Sequence, residues 1–72
     1  MADLDEGAHR QLANQIRRRA HQAGLGMKEL AERASISEAG LHRILAGERS
    51  PRLQTLCQLA RVLRCRPRDL VP

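Results

Sequence analysis

The apolar residues of this 72-residue chain recur at intervals of three and four positions, which is the spacing of one face of a helix. Leu12, Ile16 and Ala20 form one such stripe and predict a helix over residues 9–23, ended by Gly24. The same spacing predicts further helices over 27–34, 38–46, 53 to 63 or 64, and 67–71, and Gly47 is predicted to end the helix over 38–46. Because no segment alternates apolar and polar residues as a half-buried strand does, the pattern predicts an all-α fold.

The third predicted helix has two contrasting faces. Ser37 is a favourable N-cap, and Leu41, Ile44 and Leu45 point one way within an arc of roughly 100°. The opposite arc holds small, acidic and basic residues: Glu38, Ala39, His42, Arg43 and Ala46. Since a turn of about three residues separates this helix from the second one, residues 27–46 are predicted to form a helix-turn-helix unit. In such units the second helix projects and enters the DNA major groove.

The fourth predicted helix carries the first of two cysteines. Leu53, Leu56, Cys57, Ala60 and Leu63 keep to one side, so Cys57 is predicted to be a small core residue. Cys65 is predicted to be one as well. The histidines and cysteines show no spacing that suits a metal ion, so no metal or cofactor is expected. Two cysteines are too few for a secreted disulfide scaffold, which favours the cytoplasm.

Charge is distributed unevenly along the chain. The net charge is +5, but residues 1–8 contain three acids and no base and are predicted to be a disordered acidic tail. Residues 9–72, the predicted domain, hold all 13 bases and five acids and so carry +8. Twelve of the bases are arginine, which makes forked hydrogen bonds to phosphate and guanine. The excess suits a polyanion such as DNA, or a solvated basic surface that aids solubility; charge alone does not separate the two.

Composition excludes several classes of protein. Phe, Tyr and Trp are absent, which argues against modules that stack bases on aromatic rings. The longest apolar run is three residues, too short to span a membrane. The sequence has neither a nucleophile paired with a base nor a glycine loop for phosphate, so it does not predict an enzyme.

Residues 12–71 resemble the Cro/CI (XRE-like) helix-turn-helix domain of phage repressors and small bacterial regulators. The resemblance rests on the combined spacing of these residues: Leu12, Ile16, Arg17, Gly24, Leu25, Glu29, Leu30, Ala31, Ile36, Ser37, Leu41, Arg43, Ile44, Gly47, Ser50, Pro51, Leu53, Leu56, Leu59, Ala60, Leu63, Asp69, Leu70 and Val71. It implies a five-helix lambda-repressor-like fold. It also implies binding of double-stranded DNA, usually as a homodimer.

The resemblance also assigns roles to individual residues. It places Ser37, Glu38, Ala39 and Arg43 at base edges or nearby phosphates, with Arg43 as the reader of guanine. Lys28, Arg49 and Arg52 are expected at phosphates. His42 either contacts a phosphate, or pairs with Glu38 four residues earlier, or is solvated. The leading hypothesis is therefore a transcriptional repressor that binds an inverted repeat as a homodimer.

Departures from the family pattern keep a second hypothesis open. Met27 stands where relatives often have a phosphate-binding Gln, and Glu38 puts a carboxylate at the reading end of the third helix. A protein-interaction module with the same fold, such as an antitoxin or an adaptor that binds a partner protein, is the alternative. Leu70 and Val71 are expected either to form a dimer seam or to close over the core.

Overall fold

The computed structural model of the protein describes residues 5–71 and shows five helices connected by short turns. The helices are α1 (Glu6–Gln22), α2 (Met27–Arg33), α3 (Glu38–Leu45), α4 (Leu53–Leu63) and α5 (Pro67–Leu70). All regular secondary structure in this part of the chain is helical. The predicted all-α, five-helix architecture is confirmed.

Helix α1 begins earlier than the apolar stripe indicates. The carboxylate of Asp5 accepts a hydrogen bond from the Ala8 amide at 2.7 Å, which caps the first turn, and Glu6 places a negative charge there. The predicted tail is therefore wrong for residues 5–8, because two of the acids that suggested it, Asp5 and Glu6, start helix α1. Residues 1–4 of that prediction lie outside the described residues.

One continuous core holds the helices together. The largest side chains in it that are completely or almost completely inaccessible to solvent are Leu12, Ile16, Leu30, Leu41, Leu59 and Leu70. Helix α1 packs against α3, α4 and α5, while α2 packs against α3 and α4. Ala20 of α1 and Leu45 of α3 are both buried, so apolar packing fills that part of the core.

The four longer helices end in the same backbone motif. Beyond each last turn one residue adopts a positive φ, and the next amide bonds back to a carbonyl five residues earlier, as Leu25 N does to Ala20 O at 2.8 Å. Gly24 and Gly47 take the positive-φ position after α1 and α3, as predicted. Ser35 and Arg64 take it after α2 and α4, with φ of 60° and 57°. A side chain is strained in this conformation, whereas glycine is not.

Helix α4 is rotated relative to its predicted stripe. Its buried residues are Leu56, Leu59, Ala60 and Leu63, whereas Leu53 is 60% exposed and Cys57 is exposed. The prediction of Cys57 as a core residue is wrong, because two stripes with helical spacing overlap on this helix and the core covers the one centred on Leu59. Cys65 is half-buried and packs against the core.

Helix α5 closes the core from the C-terminal side. Asp69 Oδ2 accepts from the Arg66 amide at 2.9 Å, and Pro67 opens the helix. The Leu70 side chain is 0% exposed, so it has no surface for a second copy, and the core-closing alternative holds for it. Val71 is half-buried against the core and retains some exposed surface.

Candidate nucleic-acid interface

Helices α2 and α3 form a compact pair held by a short turn. The Ile36 amide bonds to the Ala31 carbonyl at 3.0 Å, and the Ile36 side chain packs half-buried against the core. Ala31 is 2% exposed where the two helices meet, and its small side chain lets them approach closely. The predicted helix-turn-helix unit is present, and its turn is fixed by backbone hydrogen bonds.

Helix α3 is buried on one face and open on the other. Leu41, Ile44 and Leu45 are at most 8% exposed and hold the helix against α1 and α2. The outer face is exposed along its whole length, and its members are Glu38, Ala39, His42, Arg43 and Ala46. Side chains within residues 5–71 leave this face uncovered. A projecting helix with an open face is the element that fits a major groove.

Ser37 is exposed at the start of this helix, and its hydroxyl already has a structural role. Ser37 Oγ accepts a hydrogen bond from the Gly40 amide at 2.9 Å, which caps α3 as predicted. The hydroxyl proton is still available to donate. Ser37 can therefore position the helix and offer one donor to DNA at the same time.

Glu38 and His42 form an exposed pair on the outer face. The distance between His42 Nε2 and Glu38 Oε2 is 3.6 Å, and the two side chains are 49–59% exposed. The i,i+4 alternative for His42 therefore matches the structure. The pair partly occupies the Glu38 carboxylate, which otherwise repels phosphate or accepts a hydrogen bond from cytosine.

Arg43 is the exposed cation of α3. Within residues 5–71 its guanidinium makes no ion pair and no side-chain hydrogen bond. Ala39 lies one turn earlier and carries only a methyl group, so it leaves room beside the guanidinium. This arrangement suits forked recognition of guanine, although the same exposure also suits a solvated arginine.

Further exposed basic residues lie outside α3, in α2 and in the loop that follows α3. Lys28 is exposed in the first turn of α2, and Arg49 and Arg52 are exposed in the loop between α3 and α4. None of the three is in an ion pair within the described chain. Met27, beside Lys28, packs half-buried against the core and has no free polar group. Of these cations, Arg49 and Arg52 lie beside the start of α3, where they line one groove with Ser37 and Gly40.

Gly40 allows the α3–α4 loop to approach α3 closely, and the sequence pattern did not indicate this close approach. A Cβ built on Gly40 would lie 2.8 Å from Ser37 Oγ and 3.7 Å from Arg49 Nη1. Gly40 thus leaves room for the Ser37 cap and for the Arg49 side chain beside the start of α3. A groove of about 510 Å³ opens here, also lined by Arg52 and Thr55. In a sequence, a mid-helix glycine indicates only a reduced helix propensity. It does not indicate that a side chain from a later loop, such as Arg49, lies next to it.

His9 anchors the far side of the same loop, which the sequence pattern also did not indicate. His9 Nε2 lies 3.3 Å from Ser50 Oγ, and the ring lies next to Gly47, where a Cβ would be 3.9 Å away. The residues in contact are 41 positions apart, so local spacing carries no signal of this contact. The contact ties the loop with Arg49 and Arg52 to α1.

The sequence model of the helix-turn-helix domain family matches residues 11–72 of the chain. No curated protein sequence matched it. Within residues 5–71, no helix has the length and hydropathy needed to cross a membrane.

Solved structures share the whole arrangement of helices. The restriction-modification controller protein C.AhdI from Aeromonas hydrophila matches with a TM-score of 0.82 and 22% identity, over 89% of this chain and 97% of its own. An HTH_3 family transcriptional regulator from Vibrio cholerae gives 0.78 and 30% identity, over 89% of this chain and 36% of its own. The clp gene regulator ClgR from Corynebacterium glutamicum matches with a TM-score of 0.79 and 21% identity, over 88% of this chain and 67% of its own. This chain thus spans about a third of the Vibrio protein and nearly all of C.AhdI.

Proposed function

Because the chain belongs to the helix-turn-helix domain family, we propose that it is a transcriptional regulator that reads double-stranded DNA with α3 in the major groove. The observation that supports the proposal is the open outer face of α3, with unpaired Arg43 on it and with Arg49 and Arg52 in the groove beside its start. Phosphate contacts from the loop cations supply affinity, and Arg43 supplies selectivity.

We further propose that the protein acts as a homodimeric repressor on an inverted repeat. The domain measures 29 × 22 × 18 Å, so two copies side by side can place their α3 helices about 34 Å apart, one turn of DNA. Leu53 is 60% exposed at the start of α4, and Val71, half-buried after α5, retains some exposed apolar surface. Val71→Asp and Leu53→Glu, each followed by sedimentation analysis with and without operator DNA, test which of them lies in the dimer contact.

Selection of bound duplexes from a random pool is the direct test of the DNA proposal. Arg43→Ala should lose about 1–3 kcal/mol of discrimination and relax one base position. Arg52→Ala should weaken all sequences alike and reduce the salt dependence. Arg61→Ala is the matched control, because this exposed arginine lies nine residues further along α4, about 13 Å along the helix axis. Absence of duplex binding at low salt would refute the proposal.

A protein partner is the second candidate function, favoured by the Glu38 carboxylate on α3. A charge at the fully buried Leu70 would unfold the domain, so the test of a partner needs a substitution at an exposed residue. Arg43→Ala separates the two candidates instead, since the DNA proposal predicts loss of regulation and the partner proposal predicts retention. Reporter-gene assays that compare this variant with Arg61→Ala measure the difference.

A further inference from the structure

A second basic surface lies where the C-terminal ends of α1, α2 and α4 meet. It is a groove of about 410 Å³, and the residues that define it are Arg19, Gln22, Leu25, Arg33, Val62 and Arg64. No residue of α3 or of the α3–α4 loop lines it. This groove is therefore separate from the candidate nucleic-acid interface.

The charge in the groove is only partly neutralised. Arg33 pairs with Glu29, with 2.9 Å between Nη2 and Oε2, whereas Arg19 and Arg64 have no carboxylate within 4 Å among residues 5–71. Arg19 Nε is buried and finds no hydrogen-bond acceptor in that part of the chain. The helix dipole favours arginines near helix C-termini, and this explains why they lie here. It does not explain why the buried Nε donor of Arg19 lacks an acceptor.

The floor of the groove is apolar. Leu25 and Val62 pack half-buried against the core and expose the rest of their surface between the arginines. A phosphate backbone would gain nothing from this floor. An acidic peptide segment with an apolar side chain would use both features, because guanidinium groups fork onto carboxylates and the apolar side chain covers the floor.

We propose that this groove is a docking site for an acidic segment of a partner protein. A carboxylate of the segment binds Arg19 and Arg64, and a neighbouring apolar side chain packs on Leu25 and Val62. The proposal does not depend on DNA binding by α3, so either can fail while the other holds.

The test uses the ¹⁵N-labelled 72-residue chain titrated with an acetylated, amidated Glu-Leu-Glu-Glu-Leu peptide. Amide resonances of the groove should shift, with millimolar affinity. Arg19→Gln and Arg64→Gly should each weaken binding about tenfold, as expected for a lost charge-assisted hydrogen bond. Arg18→Gln is the matched control, because this exposed arginine is one residue away on α1 and does not line the groove; it should bind as the parent protein does.

Three results would overturn the proposal. A peptide with Ser in place of both Leu residues that binds equally well would show that the apolar floor plays no part. If Arg18→Gln weakened peptide binding as much as Arg19→Gln, only the total charge of the protein would matter. Competition by a random-sequence DNA duplex for the same resonances, with no binding of the peptide, would assign the groove to DNA phosphates.

Discussion

The two faces of α3 differ in role: the inner face packs into the core, and the outer face is open for recognition. The inner face, with Leu41 completely buried, holds the helix against α1 and α2. The outer face, with Arg43 and the Glu38–His42 pair, is exposed, and the side chains of residues 5–71 leave it uncovered. An isolated eight-residue helix is not stable in water, so the inner face is the reason that the outer face has a defined shape. Stability and recognition should therefore respond to different substitutions on neighbouring positions.

Leu41→Ala should have the largest effect. It removes a side chain that is 0% exposed, and deletions of this kind cost about 2–5 kcal/mol through lost transfer energy and the remaining cavity. Small domains have total stabilities at the low end of about 5–15 kcal/mol, so the loss is a large fraction of the whole. Urea unfolding followed by circular dichroism measures it.

The neighbouring His42→Ala is the matched control for Leu41→Ala. Its side chain is 59% exposed and lies 3.6 Å from the exposed Glu38 carboxylate, so the free energy of unfolding should change by less than about 0.5 kcal/mol. If both variants destabilised the domain equally, the division between the two faces would be wrong.

Ser35→Gly should stabilise the turn that orients α3. Ser35 has φ of +60° at the end of α2, and glycine relieves the strain, for a gain of about 1 kcal/mol. Gly24→Ser is the reverse test, because Gly24 has φ of +73° and open space around a new Cβ, so only the backbone strain is added. Thermal unfolding of both variants should give shifts of opposite sign. Shifts of the same sign would contradict the interpretation.

Gly40→Ala tests the boundary between the two faces. Alanine improves helix propensity by about 1 kcal/mol, but its Cβ would lie 2.8 Å from Ser37 Oγ and displace a cap that contributes about 1 kcal/mol. The net change in the parent protein should be close to zero. In a Ser37→Ala background the same substitution should stabilise by about 0.5–1 kcal/mol. A double-mutant cycle in urea measures the coupling, and equal effects in both backgrounds would show that no conflict exists.

The sequence predicts the inner, buried part of this domain better than its surfaces. The stripe of Leu12, Ile16 and Ala20 and the glycines after α1 and α3 are local signals, and each matched the structure. A helical pattern depends on residues three or four positions apart, which the chain itself displays. The fold and the placement of α3 were therefore predictable.

Contacts between distant segments were not predictable in this way. The His9–Ser50 contact and the Arg49 side chain beside Gly40 depend on how a loop returns to helices formed elsewhere. The prediction that Cys57 is buried was wrong for a related reason. Helix α4 has two overlapping apolar stripes, and only its packing against α1, α2 and α5 decides which stripe is buried. The same limit applies to the groove around Arg19, which three separate helix ends build.

The two cysteines extend the inner–outer comparison to α4 and provide the smallest effect. Burial raises the pKa of the Cys65 thiol, Arg19 partly opposes this, and Asp69 adds to it, whereas Cys57 is simply exposed. At pH 8 a thiol reagent should label Cys57 faster than Cys65, and urea should abolish the difference, as mass spectrometry of Cys57→Ser and Cys65→Ser variants can measure. Because Cys65 ionises more readily in the unfolded chain, stability should be full below the ordinary thiol pKa and decline slightly as the pH rises above it. Faster labelling of Cys65 in the folded protein would mean that the outer stripe of α4 is covered, which would reverse the assignment of its two faces.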